Sequence, residues 1–177
     1  IYTLGEIKDS RAIEPLVQIL KNDEDTLSDA SRYALSKMGA SAVDPFIDLL
    51  QNENPSIRKY AIEGLKEIDD ERVVEPIINA LQDEKVRLNA IVALGELQDS
   101  RAVEPLLGFL ADDDYFIRMR VVEALGEIKD VRAIEPLILM LGDPRYEVTD
   151  ATILALIKFG GSAVDPLIRT LNNTDPE

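Results

Sequence analysis

Six prolines recur along this chain at intervals of 30, 31, 29, 31 and 30 residues, each inside the same short frame. The frames read Ala12-Ile-Glu-Pro15-Leu, Ala42-Val-Asp-Pro45-Phe, Val73-Val-Glu-Pro76-Ile, Ala102-Val-Glu-Pro105-Leu, Ala133-Ile-Glu-Pro136-Leu and Ala163-Val-Asp-Pro166-Leu. A period near thirty residues marks a repeat architecture, in which each unit is one supersecondary element too small to bury its own apolar side. Such units fold by stacking on copies of themselves, and this restricts the chain to a solenoid.

Two helices are legible in each unit. The first, helix A, begins around the proline and carries apolar residues at helical spacing, as at Ile13, Leu16, Val17 and Leu20, or Val43, Phe46, Ile47 and Leu50. Proline is tolerated there because first-turn amides have no intrahelical partner. The acid before each proline (Glu14, Asp44, Glu75, Glu104, Glu135, Asp165) sits at the positive end of the helix dipole. An acidic turn leads to a longer helix B, with Ile57, Ala61, Gly64, Leu65 and Ile68 in one unit and Ile117, Val121, Ala124, Leu125 and Ile128 in another. Asn54-Pro55 and Asp143-Pro144 read as an N-cap followed by proline at the first helical position. Small residues at Ala34, Gly64, Ala93, Ala124 and Ala155 are expected to let neighbouring helices approach closely.

The joints between units are of two kinds. Four carry Asp-x-Arg: Asp9 and Arg11, Asp70 and Arg72, Asp99 and Arg101, Asp130 and Arg132. Two replace it with Gly39-Ala-Ser41 and Gly160-Gly-Ser162, where a left-handed glycine is expected to end helix B and the serine to cap helix A. The expected division is a single domain, 1–177, with repeats at about 9–39, 40–69, 70–98, 99–129 and 130–160, a partial repeat at 161–177 and the end of a preceding one at 1–8. The fold expected is all-α: a right-handed α-α superhelix of about five helix pairs with partial repeats at both ends. Ile1–Ile7 matches only the end of a helix B, and Asn173-Thr-Asp-Pro176 resembles the start of another A–B turn. The chain is therefore expected to be a piece of a longer array.

The unit Asp-x-Arg-Ala-Val-Glu-Pro-Leu, followed by Ile117-Arg118 and Ala124-Leu-Gly-Glu-Ile128 in the fourth repeat, resembles the HEAT-like repeat of the phycobilisome-lyase (PBS lyase) type. The resemblance covers essentially the whole chain. It implies a HEAT/armadillo-like solenoid in two layers, A helices outside and B helices lining a concave face. Any inter-repeat ladder of Asp and Arg is expected to be interrupted where Ser28 and Thr149 replace the helix-B arginine present as Arg58, Arg87 and Arg118.

Composition narrows the function. With 34 acidic and 19 basic residues the formal charge is −15, which repels phosphate backbones and anionic lipid. The expected partner is a protein or peptide, with a basic surface fitting best; no nucleic acid and no membrane insertion are expected, since Pro, Gly or charge interrupts every hydrophobic run. No secretory signal is visible, and a cytoplasmic location is expected. There is no Cys and no His, hence no disulfide, no thiolate and neither the commonest metal ligand nor the side chain that titrates near neutrality. Among the activities that the resemblance brings, a di-iron hydroxylase needs His-Glu pairs that this chain lacks. A DNA-glycosylase-like action needs a basic groove. Bilin lyase or chaperone-like handling of a tetrapyrrole remains open, because the acceptor cysteine would lie on the substrate protein. No cofactor and no catalytic residue is assigned.

The acidic A–B turns (Asp23-Glu-Asp25, Glu53, Asp83-Glu84, Asp112-Asp-Asp114, Asp143) read as solvated helix starts, with a docking rim for a basic partner, or weak Ca²⁺ binding near Asp112–Asp114, as the sharper alternatives. A second acidic row, Glu6, Glu67, Glu96 and Glu127, reads as surface charge. The candidate binding surface comes from the second, third and sixth positions after the first core residue of each helix B. These hold Asp29, Ala30 and Tyr33; Lys59, Tyr60 and Glu63; Leu88, Asn89 and Val92; Met119, Arg120 and Glu123; Asp150, Ala151 and Leu154. A solvated face would carry charge at most of them. Instead Tyr33, Tyr60, Leu88, Val92, Met119 and Leu154 make a broken apolar-aromatic stripe, typical of a protein-binding surface. The competing expectation is half-burial between adjacent B helices, with the chain serving as a structural spacer. The fifth B helix (Ala151-Thr-Ile-Leu-Ala-Leu-Ile157) is apolar almost all round, which predicts extra burial against something.

Overall fold

A computed structural model describes residues 1–22 and 25–173, and every regular element among them is helical. Asp23 and Glu24 of the first acidic turn, and 174–177 with the closing Asp-Pro, lie outside the described residues. The chain forms two compact units, 1–93 and 94–177.

Residues 1–93 hold α1 (Tyr2–Ile7), α2 (Ile13–Lys21), α3 (Asp25–Lys37), α4 (Val43–Leu49), α5 (Pro55–Leu65) and α6 (Val74–Ala80), and the start of α7 (Arg87–Leu97). Helices α2, α4 and α6 are A helices, and α3, α5 and α7 are B helices. Each A helix is preceded by a 3₁₀ turn (Ser10–Ala12, Gly39–Ala42, Glu71–Val73), so the repeated proline is its third residue. An amide there has no intrahelical acceptor, and nothing is lost by its absence. Helix α3 packs on α1, α2 and α5, while α5 also packs on α4. Leu16, Leu20, Leu35, Phe46, Leu49, Ile62, Leu65, Ile77 and Leu81 are sealed from solvent.

Residues 94–177 hold the end of α7, then α8 (Val103–Leu107), α9 (Tyr115–Ile128), α10 (Ile134–Met140), α11 (Tyr146–Phe159) and α12 (Val164–Asn173). Helix α9 lies along α11, with α8 and α10 as their respective A helices. Leu106, Val121, Leu125, Leu137 and Val148 form the core, while Ile117 and Ile128, expected inside, are half-buried.

The small residues do set the spacing between B helices, with partners that the sequence did not indicate. A Cβ built on Gly126 would stand 2.7 Å from Ala155 Cβ and 2.9 Å from its Cα, closer than packed atoms tolerate. Gly95 meets Ala124, and Gly5 meets Ala34, in the same way. Gly64 instead makes room for the ring of Phe46, whose tip would lie 2.2 Å from an added Cβ.

The joints correct two expectations. Gly39 and Gly160 have positive φ, 65° and 56°, but Gly160, with a ψ of −132°, does not take the left-handed helical conformation expected of it, and Lys8, Gln98 and Lys129 also have positive φ at three of the four Asp-x-Arg joints. Ser41 does not cap helix A; its hydroxyl donates to the Met38 carbonyl and closes the end of α3 (3.0 Å). The joint caps are the aspartates: one oxygen each of Asp9, Asp70, Asp99 and Asp130 accepts from the amide two residues on, at 2.9–3.0 Å. Asn54 caps α5 through the Ser56 amide, with Pro55 at the first position. Asp143-Pro144 does not repeat this arrangement: Asp143 likewise accepts from the amide two residues on, that of Arg145, but α11 starts only at Tyr146, with Arg145 at its N-cap position.

Residues 146–172 reach the length and apolarity of a membrane span, where the sequence suggested that none did. The stretch is two helices, α11 and α12, parted by the 3₁₀ turn Gly160–Ala163.

Candidate functional site

Two rows of arginines tie successive repeats together, and each lies on a different edge. On the A–B turn edge of 1–93, Arg58 donates through Nη1 to the carbonyls of Asn52 and Glu53 and through Nε to Asp83 Oδ2 (2.6 Å). Within 94–177, Arg118 donates to the carbonyls of Asp112 and Asp113 and bidentately to Asp143, at 2.7 and 3.0 Å. One guanidinium thus closes its own turn and grips the next. The Asp143 side chain is only 4% exposed, and Arg118 beside it holds the carboxyl below the usual carboxylate range against the opposing effect of burial. Burial pushes Asp83 up, but its bonds to Arg58 and the Lys85 amide leave it lowered as well.

Arg87 donates to its own turn at the Leu81 carbonyl (2.9 Å). Thr149, in the same place, sends its hydroxyl to the equivalent carbonyl of Asp143 (3.3 Å) and is too short to go further. Ser28 is fully buried and its hydroxyl finds no partner among the described residues.

The second row runs along the joints. Each Asp-x-Arg folds into a local fork, and Arg72 and Arg132 also reach one repeat back. Arg72 donates to the Ala40 carbonyl (3.0 Å) and lies 3.3 Å from Asp44. Arg132 donates to the Ser100 carbonyl (2.8 Å) and lies 3.5 Å from Glu104. The side-chain and backbone bonds from Arg132 bring Asp130 down to about 2. Arg11 and Arg101 make the fork with Asp9 and Asp99.

On residues 1–93 the proposed binding positions form a mixed surface. Tyr33 is half-buried, edge-on to Tyr2 at 5.5 Å, with the Lys37 ammonium 5.2 Å from its ring centre. Tyr60, Leu88 and Asn89 are half-buried, Val92 is exposed, and Ala30 is buried in the core. Lys59 lies 3.8 Å from Glu63. Arg32 pairs with Glu67 at 2.7 Å and lies 3.7 Å from Glu63. Sequence reasoning passed over Arg32. Its signal was present, since the same column holds Ile62, Ile91, Val122 and Ile153 elsewhere.

On residues 94–177, Met119 is half-buried, Arg120 pairs with Glu123 (2.8 Å), Leu154 is 61% exposed and Ala151 is buried. Two unforeseen aromatic-cationic pairs form at the start of α9. The Arg145 guanidinium is 4.1 Å from the Tyr115 ring centre and that of Arg120 is 5.0 Å from Phe116. The extra burial expected for the fifth B helix is not found among the described residues. Ile153, Leu154 and Ile157 are exposed, and Ile153 and Ile157 line an apolar hollow of about 310 Å³ together with Leu156 and Leu167.

Asp112 and Asp114 each give an oxygen to a backbone amide two residues on, which is the helix-start role. Among the described residues no three carboxylates converge on one point where a cation would be held.

The comparisons with known proteins agree with this geometry. The chain matches the family of HEAT repeats over residues 74–157 and that of PBS lyase HEAT-like repeats over 1–22 and 57–83. It belongs to the HEAT-like repeat proteins, of the PBS lyase type. No curated protein matches it. Among solved structures, the complex of CpcE and CpcF of phycocyanin lyase from Nostoc sp. PCC7120 is similar at 24% identity and a TM-score of 0.71, over 83% of this chain and 99% of that one. Human deoxyhypusine hydroxylase, solved in complex with glycerol, is 20% identical with a TM-score of 0.60, over 89% of this chain and 77% of that one. A designed armadillo repeat protein in complex with the peptide (KR)4 is 16% identical with a TM-score of 0.57, over 84% and 82%. These likenesses show the fold, an α-solenoid of the HEAT/armadillo kind.

Proposed function

We propose that this chain is a non-enzymatic scaffold that holds a protein or peptide partner on the surface of its B helices. One observation carries the reading. Tyr33, Tyr60, Leu88, Val92, Met119 and Leu154 occupy positions where a purely solvated face would carry charge, and none of the six is fully buried. Amphipathic aromatic and Met side chains left partly in water, edged by ion pairs such as Lys59–Glu63 and Arg120–Glu123, match the make-up of protein-binding surfaces. The net charge of −15 favours a basic partner and opposes nucleic acid. Two of the similar structures are assemblies with a peptide or a second protein.

The test is to identify a partner by pull-down and then titrate it against variants. Tyr60→Ala and Met119→Ala should each weaken binding about tenfold, as truncating a central anchor does. Glu75→Ala, on the exposed side of α6, should leave it unchanged. Undiminished affinity in both anchor variants would refute the B-helix surface.

A second reading, handling of a bilin or of its acceptor protein, has one observation in its favour beyond the likeness to phycocyanin lyase. Tyr115, Phe116, Arg120 and Arg145 offer stacking faces and cations to a planar anionic ligand. Titration with biliverdin should then shift its visible absorbance and lose the shift in Arg145→Ala. An unchanged spectrum at high micromolar protein would end this reading.

A further inference from the structure

We infer that a groove between α4 and α6, on the side of residues 1–93 formed by A helices, docks an extended, uncharged peptide segment through one aliphatic side chain. This site is distinct from the B-helix surface and does not depend on it. The groove encloses about 440 Å³. Its floor is apolar, formed by Ile47, Leu50, Pro76 and Val86. Its rim carries three primary amides, Gln51, Asn79 and Gln82.

Two features of the sequence converge on this spot. From the proline to the first core residue of helix B is twelve residues in four repeats, as from Pro45 to Ile57, but ten from Pro76 to Val86. The short turn brings Gln82, Asp83 and Val86 into the lining. Amides are also concentrated here. The corresponding helix-A positions are Gln18 and Lys21 in the first repeat, Gly108 and Ala111 in the fourth, and Leu139 and Gly142 in the fifth.

Charge and hydrogen bonding select the occupant. Asp83 is the one ionised residue lining the groove, and both of its oxygens are engaged, Oδ2 by Arg58 Nε (2.6 Å) and Oδ1 by the Lys85 amide (3.0 Å). On a protein of charge −15 the groove is therefore electrically matched, and it offers no counter-charge to a Lys or Glu side chain. The side chains of Gln51, Asn79 and Gln82 make no hydrogen bond within the described residues. Each presents a donor and an acceptor, the complement of a peptide unit. A row of such amides over an apolar slot pairs with extended backbone while the slot takes a Leu-sized side chain.

The probe is the blocked tripeptide acetyl-Gly-Leu-Gly-amide, titrated into the ¹⁵N-labelled full chain and followed by NMR. Saturable shifts are expected at backbone amides of 47–51 and 77–86 and at the NH₂ groups of Gln51, Asn79 and Gln82, with a dissociation constant on the order of a millimolar for so small a ligand. The Lys and Glu counterparts of the tripeptide should bind at least fivefold more weakly. Ala80→Leu, which fills the slot, should weaken binding at least tenfold, and the double change Asn79→Ala with Gln82→Ala on exposed positions should weaken it severalfold without disturbing the fold. Tyr60→Ala should leave the titration unaltered, so failure here and failure of the B-helix surface are read separately. Shifts absent at about tenfold above that constant, equal for all three peptides, or preserved in Ala80→Leu would overturn the assignment.

Discussion

The first and fourth helix pairs share one sequence pattern and are held by different means. In the fourth, Arg118 reaches from α9 to two carbonyls of its own turn and to the nearly buried Asp143 of the next, and Asp114 caps the helix. In the first, the arginine position is Ser28, buried with no partner among the described residues, and Ser31 a turn later is in the same state. The difference teaches that apolar stacking is sufficient to place a repeat, since Leu16, Leu20 and Leu35 of the first pair are as well buried as Leu106 and Leu125 of the fourth. The arginine clamp adds rigidity at the turn edge. Its absence leaves hydroxyls that desolvation works against.

That comparison is most severely strained by overpacking. Gly126→Ala should cost about 3 kcal/mol in urea unfolding, because the new methyl meets the Ala155 backbone, which cannot turn aside. A loss under about 1 kcal/mol would show that the spacing of α9 and α11 is soft. Next in size, Arg118→Ala should remove about 2 kcal/mol, leaving Asp143 buried without its partner. Hydrogen exchange should report the loosening around 112–118 and 143–149.

The same pair sets a pH response. Asp143 and Asp130 have depressed pKa values in the folded protein, Asp130 at about 2 against an ordinary 3.8. Their stabilisation is full above the unfolded value and is lost as pH falls through the folded one. Thermal unfolding should therefore shift steeply between about pH 4 and 2, and the Asp143→Asn variant should show a shallower slope. An identical slope would remove Asp143 from the account.

Smaller effects run in the stabilising direction. Ser31→Ala should gain about 1 kcal/mol by deleting an orphaned hydroxyl. Thr152→Ala, at the equivalent place in α11, should gain nothing, since that hydroxyl donates to the Val148 carbonyl at 2.8 Å. Lys129→Gly should gain roughly 0.5–1 kcal/mol by relieving a φ of 57° in a residue with a side chain. A destabilised Ser31→Ala variant would mean that the first pair is held by its hydroxyls after all, and the contrast with the fourth would collapse.

The helices and their buried faces were legible because a thirty-residue period with apolar residues three and four apart admits little else. Caps were legible where the residue acts on its own neighbours, as Asn54 does on the Ser56 amide. Ser41 was misread because a serine between two helices can serve either end, and the direction of its hydroxyl is settled by which carbonyl is left open. The binding positions could be numbered from the period, yet their surroundings could not. Tyr33 meets Tyr2 from a helix thirty-one residues away in sequence, and Arg32 is drawn to Glu67. The groove at Gln51, Asn79 and Gln82 was announced only by a turn two residues short.

The sequence alone determined the repeat, the two helices in each unit, the apolar faces, the acidic surface and the chemistry that a chain without Cys or His lacks. All of these depend on composition and on spacing along a single helix, where the geometry is fixed. The tertiary structure decided which carbonyl or carboxylate each arginine reaches, which glycine meets which alanine, where aromatics gather and where a short turn leaves a groove. Those depend on how far one helix stands from the next. That distance is a compromise among many side chains at once, and no local stretch of residues encodes it.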